Sequence, residues 1–396
     1  MQPWIALLCL ALALTACERN TSEPDAGTPP ALRPSPSHPS PSHAPLSPAP
    51  VEAAGGAFGL TRVDYALLPG WPEDDPSGAI AAFRRSCAVL FRRPASAAVG
   101  PEGRYGRTID WRPACAALGE PEAYDAPAAR RYFEIWFQPY MVASRGRSEG
   151  LFTGYYEVEV KGALQPGGDY RWPLYRPPSG AITVSGTPDR AAIEAGALKG
   201  KGLELAWLDD PVDVFDLHIQ GSARMSLPDG SYRRIGYAGT NGLPYVGIGR
   251  LMLDRGHIGP DRATAQGVKA WLKDNPEEAR ALMQENPRYV FFRWIEGDGP
   301  VGAQGVPLTA GRSLAVDPAF IGYGMPLFLE TTHADGAPLR RLTIAQDTGA
   351  AIKGPVRGDL FWGTGAAALD LAGGMKQKGR YYLFLPRTLT VALAAN

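Results

Sequence analysis

Apolar residues along this chain recur first at helical spacing, then at every second position, then at helical spacing again, and finally at every second position. From Ser77 to Leu90 (SGAIAAFRRSCAVL), Ile80, Phe83, Cys87 and Leu90 share one helical face, and Ser77 stands where an N-cap belongs. Pro127 to Gln138 repeats the pattern through Tyr132, Ile135 and Trp136, with Pro127 suited to a first turn and Pro139 to a stop. Both aromatic stripes read as core rather than as cofactor contacts. At Leu151 to Val160 (LFTGYYEVEV) the period becomes two. Strands are then predicted at Trp172 to Tyr175, Leu205 to Leu208, Val212 to Ile219, Ala223 to Leu227 and Tyr232 to Tyr237. The last two flank Pro228-Asp229-Gly230-Ser231, a hairpin signal. Arg262 to Lys273 and Pro276 to Glu285 return to helix, and the remainder is strand and turn. This order predicts a second β domain inserted between two halves of a first.

The first sixteen residues, MQPWIALLCLALALTA, are apolar and carry no charged side chain, the length of an export signal and too short to span a bilayer comfortably. They run into Leu14-Thr15-Ala16-Cys17, which is similar to a bacterial lipobox and marks Cys17 for lipidation; a small Cys inside an apolar run is the alternative. Glu18 follows rather than the Asp that resembles an inner-membrane retention signal, so outer-membrane attachment is expected. Residues 17–55 are dominated by Pro, Ser and Ala and form no core; they read as an extended tether.

The folded remainder is large enough for two domains. Lys and Arg total 40 against 40 Asp and Glu, so no charged field points to nucleic acid or to a strongly basic partner. With 47 Gly and 38 Pro, the β-rich runs argue for a turn-rich, barrel-like protein. Cys87 and Cys115 are the pair left for the folded part; their long spacing, without CxxC or clustered His, predicts a disulfide rather than a metal site, two buried thiols being the alternative. His218, His257 and His333 are too scattered for a zinc site, and Gly363-Thr364-Gly365 and Gly247-Ile248-Gly249 lack the rest of a dinucleotide fingerprint. No metal and no cofactor are expected.

Candidate chemistry concentrates in Leu342 to Gly365, LTIAQDTGAAIKGPVRGDLFWGTG. LTIAQ reads as a strand, Thr348 to Lys353 as a Gly-broken turn, and Asp359 to Trp362 as the start of another strand, which places Asp347 and Asp359 at strand ends. Asp is a poor strand former and costly to bury unpaired, so an Asp leading into Leu-Phe-Trp requires a turn cap, an ion pair or a cleft.

Five runs in order resemble the membrane-bound lytic murein transglycosylase A family: GYYE from Gly154, HIQGSARMSLPDG from His218, YAGTNGLPYVGIGR from Tyr237, NPRYVFFRW from Asn286, and SLAVDP with AQDTGAAIKGPVRGDLFWGTG. The resemblance extends from about Arg62 to Arg387, and its last part is similar to the 3D domain, named for three aspartates, here Asp317, Asp347 and Asp359. It implies a mainly β fold with flanking helices: a double-psi, barwin-like β-barrel, a second smaller barrel inserted in it, and a groove between them for a glycan strand. The corresponding division is 56–155 and 261–396 for the first domain and 156–260 for the insert. The implied reaction is cleavage of peptidoglycan between N-acetylmuramic acid and N-acetylglucosamine with formation of a 1,6-anhydro product, Asp359 acting as acid and then base. Asp347 and Asp317 would supply like charge, or pair with Lys353 or Arg312 as structural groups. Tyr155, Tyr156, Gln220, Gly221, Ser222, Arg224, Tyr237, Asn241, Tyr245 and Lys353 are expected along the glycan; the alternative is that the glycines make barrel corners and the tyrosines are core. The expected protein is a monomer, lipid-anchored on the periplasmic face of the outer membrane. The rival readings are a non-catalytic wall-binding lipoprotein and a glycan hydrolase.

Overall fold

The computed structural model describes residues 58–178, 186, 188–297 and 299–389. The expected export signal, Cys17 and the whole tether lie outside them. The chain opens with β1 (Gly59–Arg62) and continues through α1 (Ser77–Arg92), α2 (Thr108–Ala116) and α3 (Ala126–Trp136) to β2 (Phe137–Ala143) and the long β3 (Gly150–Ala163). Then follow β4 (Trp172–Tyr175), the single turn α4 (Arg190–Ala192), β5 (Glu204–Leu208), α5 (Pro211–Gln220), β6 (Ser222–Ser226) and β7 (Tyr232–Thr240). Three helices, α6 (Ile248–Asp254), α7 (Ala265–Asp274) and α8 (Pro276–Gln284), lead to β8 (Val290–Ile295). The last part holds β9 (Ser313–Val316), β10 (Pro326–Thr332), β11 (Pro338–Asp347), β12 (Arg357–Thr364), α9 (Ala366–Gly373) and β13 (Lys376–Pro386).

The strands join in the order β1-β2-β13-β10-β11-β9-β12-β3-β6-β7-β8, with β5 on β3 and β4 on β5. Because the start of β13 also pairs with the start of β3, Lys376 opposite Thr153 and Gly379 opposite Gly150, the path β13-β10-β11-β9-β12-β3 closes on itself as a ring. Closure leaves those strands no open edge. Within the ring β11 runs parallel to β9 and β12 parallel to β3, while the other pairings are antiparallel.

Two cores share β3. Phe152 packs with Leu314, Leu327, Leu342 and Leu360 in the larger, against which α1 to α3 lie, whereas Tyr156, Val158 and Val160 pack with Leu217, Met225, Ile235 and Phe292 in the smaller. Period two along one strand thus feeds first one core and then the other, and Trp362 packs against both.

Local expectations hold in most places and fail for identifiable reasons. α1 buries Ile80, Phe83, Cys87 and Leu90 as spaced, but Ser77 is not its cap; Asp75 accepts the Ser77 N–H at 3.0 Å. α3 is capped by Asp125 and ends where Phe137 turns extended, so Pro139 lies inside β2 instead of stopping the helix, and Ile135 is exposed. The hairpin between β6 and β7 forms as expected, with Ser226 opposite Tyr232. The predicted strand from Val212 to Ile219 is instead α5. Asp210 accepts the Val212 N–H, Pro211 occupies the first turn and Gly221, at φ 84°, closes the end; these terminal signals, with Val214, Leu217 and His218 buried on the inner side, override the β-branched alternation. Cys87 and Cys115 form a disulfide that joins α1 to α2.

Candidate active site

β9 lies between β11 and β12, and both strands place an aspartate opposite the same residue: Asp347 and Asp359 each register with Ala315. The two are therefore not on adjacent strands, and their backbones stand roughly 10 Å apart across one intervening strand. Asp347 ends β11, at a register shift, whereas Asp359 is the third residue of β12 rather than a strand end.

On the other side of β12 runs β3, with Thr153 opposite Asp359 and Tyr155 opposite Phe361. Alternation puts Asp359 and Phe361, and Thr153 and Tyr155, on one face. Thr153 Oγ1 donates to Asp359 Oδ1 at 2.5 Å while accepting from Arg357 Nη2 at 2.9 Å. The hydroxyl hydrogen is thus directed at the carboxylate. Tyr155, its ring 5.3 Å from that of Phe361, donates its hydroxyl to Asp347 Oδ2 at 2.7 Å. The other oxygen of Asp347 accepts the N–H groups of Ala303 and Thr348, both at 2.9 Å.

Both aspartates keep a margin open to solvent, as groups that meet a ligand must, while protein encloses them elsewhere. Burial raises the Asp359 carboxyl to about 6, against the opposing pull of the Thr153 hydroxyl and the Arg357 charge; the charge of Asp347 adds to the rise. Burial also lifts Asp347, and the hydroxyl of Tyr155 with the two amides holds it back. A carboxyl lifted in this way is a candidate for acid and base work.

Asp317 plays another part. It is buried just past β9, where its carboxylate accepts from Ala319 N at 3.1 Å and Gly354 N at 2.8 Å, pinning the turn between β11 and β12. Arg312 pairs with Asp74 instead of with either acid, and Lys353 is exposed on the pinned turn.

Several residues expected along a glycan turn inward. Tyr156 is buried with its hydroxyl on Asp216 at 2.8 Å, and Gln220 accepts the Tyr156 N–H at 3.3 Å while donating to the same Asp216. Asn241 is buried, its amide bonded to Pro188 O, Pro287 O and Tyr289 N, and Ser222 is buried at the start of β6. Gly221 serves the end of α5. Arg224 is paired with Glu159 and lies over the ring of Tyr232. Tyr237 and Tyr245 remain exposed, at 41% and 37%. Thr153, Arg357 and Phe361 were not singled out by sequence, although each stands two positions from a chosen residue on a strand, where the same face recurs.

Among the described residues no group of three or more His, Cys, Asp or Glu is placed to hold a metal ion. A cavity of about 970 Å³, walled by Tyr170, Trp172, Trp207 and Tyr289, opens in the smaller β region. It adjoins the far end of β3, where Ala163 pairs with Trp207, roughly 33 Å of strand from Thr153.

Residues 151–293 match the family described as the MltA specific insert domain, and residues 312–385 match the 3D domain. Fold and site thus define a 3D-type body carrying an MltA-type insert. A membrane-bound lytic murein transglycosylase from Agrobacterium tumefaciens has a similar structure, with a TM-score of 0.75 and 34% identity over 84% of this chain and 99% of that one. The chain belongs to the membrane-bound lytic murein transglycosylase A family. E. coli MltA with bound chitohexaose is similar at a TM-score of 0.63 and 26% identity, over 83% of this chain and 94% of that one. The Vibrio cholerae membrane-bound lytic murein transglycosylase A is 34% identical over 240 residues, 59% of this chain and 64% of that protein, so the aligned part spans less than two thirds of this curated relative.

Proposed function

We propose that this chain is a peptidoglycan lytic transglycosylase with Asp359 as its single acid and base. The observation that carries the reading is the Asp359 carboxyl, raised to about 6 yet open on one side, in a family whose named members are lytic murein transglycosylases. Protonated Asp359 gives its proton to the oxygen between N-acetylmuramic acid and N-acetylglucosamine, and the C1–O bond breaks. The muramic acid's own C6 hydroxyl attacks C1, and its proton passes to the Asp359 carboxylate. The 1,6-anhydro sugar forms, no water enters, and the acid is regenerated. Thr153 holds one oxygen of Asp359 in place, leaving the other to face the leaving group, and Asp347 disfavours early ionisation.

Tyr155 and Phe361 form the wall beside the acid, and Tyr237, Tyr245 and Lys353 are the exposed residues that we assign to the glycan. The chitohexaose complex of the E. coli relative supports a glycan ligand. The closed ring, with its two parallel pairings, supports a double-psi barrel for 56–155 and 261–396, with 156–260 as the inserted barrel. Anchoring through Cys17 at the periplasmic face of the outer membrane, as a monomer, completes the proposal. Mass spectrometry of digested peptidoglycan tests it: anhydro products weigh one water less than hydrolytic ones. Reducing-end products would turn the reading to a hydrolase, and binding without products to a wall-binding lipoprotein.

A further inference from the structure

A buried chain of polar groups connects α1 to the pocket. Ser313 Oγ accepts from Thr309 N at 2.8 Å and donates to Gln346 Oε1 at 2.5 Å. Gln346, wholly buried, uses its amide hydrogens on Ala82 O at 2.7 Å and Ser86 Oγ at 2.9 Å, both in α1. Ser86 Oγ passes its own hydrogen to Gln304 Oε1 at 2.8 Å. Along this path hydrogens run from the Thr309 N–H through Ser313, Gln346 and Ser86 to Gln304, with Ala82 O accepting at the side, and each buried polar group in it has a partner.

This chain grips the segment before β9. Gln304 N donates to Gln346 O at 3.0 Å, and Gly302 sits so close that a Cβ there would meet Gln346 O at 2.5 Å and Asp347 Cβ at 3.3 Å. Between these two points lies Ala303, whose N–H reaches Asp347 Oδ1. We propose that Gln346, with Ser86 and Gln304, is a positioning bracket for Asp347: it holds residues 302–304 against the end of β11 so that the Ala303 N–H is aimed at the carboxylate. The bracket sits beside Cys87, so the disulfide to α2 anchors the helix at the residue next to Ser86.

Asp347 is faced by Tyr155 from β3, Asp359 from β12 and Tyr323 from the loop before β10, besides the Thr348 N–H. Losing the Ala303 donor weakens the ionised form more than the neutral one, which makes Asp347 easier to protonate. The inference rests on the reading of Asp347 and Asp359 as a working pair, but its test needs no turnover. Carboxyl carbon shifts of the mature chain, labelled at Asp, are followed against pH for the parent, Ser86→Ala and Gln304→Ala; the second variant alters a half-buried side chain and leaves the core intact. The expected result is that the midpoint of Asp347 moves to higher pH by about half a unit or more in both variants. A midpoint unmoved in the folded variants overturns the bracket. If the midpoint moves while Asp359→Asn still cleaves, the bracket stands and the assignment of the acid falls.

Discussion

Replacing Asp347 with Asn removes one negative charge and little else. The side-chain oxygen of Asn can go on accepting the Ala303 and Thr348 amides, and the Tyr155 hydroxyl can turn to accept from the new amide. At roughly 8 to 10 Å and an effective dielectric constant of about 20, a unit charge acts on Asp359 with about 2 kcal/mol. Three donors already share that charge, and it ranks below burial, Thr153 and Arg357 among the influences on Asp359. An effect of about half to one pH unit is therefore expected. The sign follows from which state reacts: in the proposed mechanism Asp359 acts protonated, a neighbouring negative charge favours that form, and its removal lets the proton go earlier. The alkaline limb of the pH–activity profile, placed near pH 6 by the parent carboxyl, should move toward acid. At pH 7 the same shift lowers the protonated fraction about three- to ninefold. Initial rates of release of soluble muropeptides, taken from about pH 4 to 8 for parent and variant, measure the limb directly. An unmoved limb with intact activity would refute the coupled pair and leave Asp347 as a cap for its turn.

Asp359→Asn should abolish cleavage while glycan binding survives, checked by product release beside a pull-down on insoluble peptidoglycan; anhydro-muropeptides at the parent rate would reject Asp359 as the acid. The same variant should be more stable than the parent above about pH 6, by about 1 to 3 kcal/mol: the folded carboxyl titrates above its unfolded value, so the parent loses stability as pH rises from about 4 to 6, and denaturant melts should converge below about pH 4. Thr153→Val removes a donor to ionised Asp359, so its alkaline limb should move opposite to that of Asp347→Asn, toward higher pH. Replacing Cys87 and Cys115 with Ala should lower stability by about 3 to 4 kcal/mol on loop-entropy grounds, read as a drop in the urea midpoint.

The parts of this molecule that could be read in advance are those decided locally. The apolar face of α1 and the turn at Pro228 to Ser231 each carry their signal within a few residues, and the cysteines could be paired because no others remained for the folded part. α5 carried two conflicting signals, a Val-Phe-Ile alternation and a Pro-start, Gly-end punctuation, and only the core beneath it decided between them. Asp347 and Asp359 were recognisable because an Asp leading from or into a buried strand needs a reason. That they share Ala315, and that Asp317 faces a backbone turn, depends on β9 lying between their strands, which no local pattern expresses. Tyr156, Gln220 and Asn241 have the chemistry of glycan ligands, but the same donors and acceptors satisfy buried helix and loop groups, and composition does not separate the two uses.

The ring is closed by its last strand, and Asp359 meets Thr153 across 206 residues of sequence. Neither the ring nor that contact can form before the strands on both sides of it have been synthesised. Pairings of such long reach are slow to form. Under the proposed function and export, that delay would serve twice: the polypeptide would remain threadable through a translocation channel, and an enzyme that cuts the wall would acquire its acid only on the side of the membrane where the wall is.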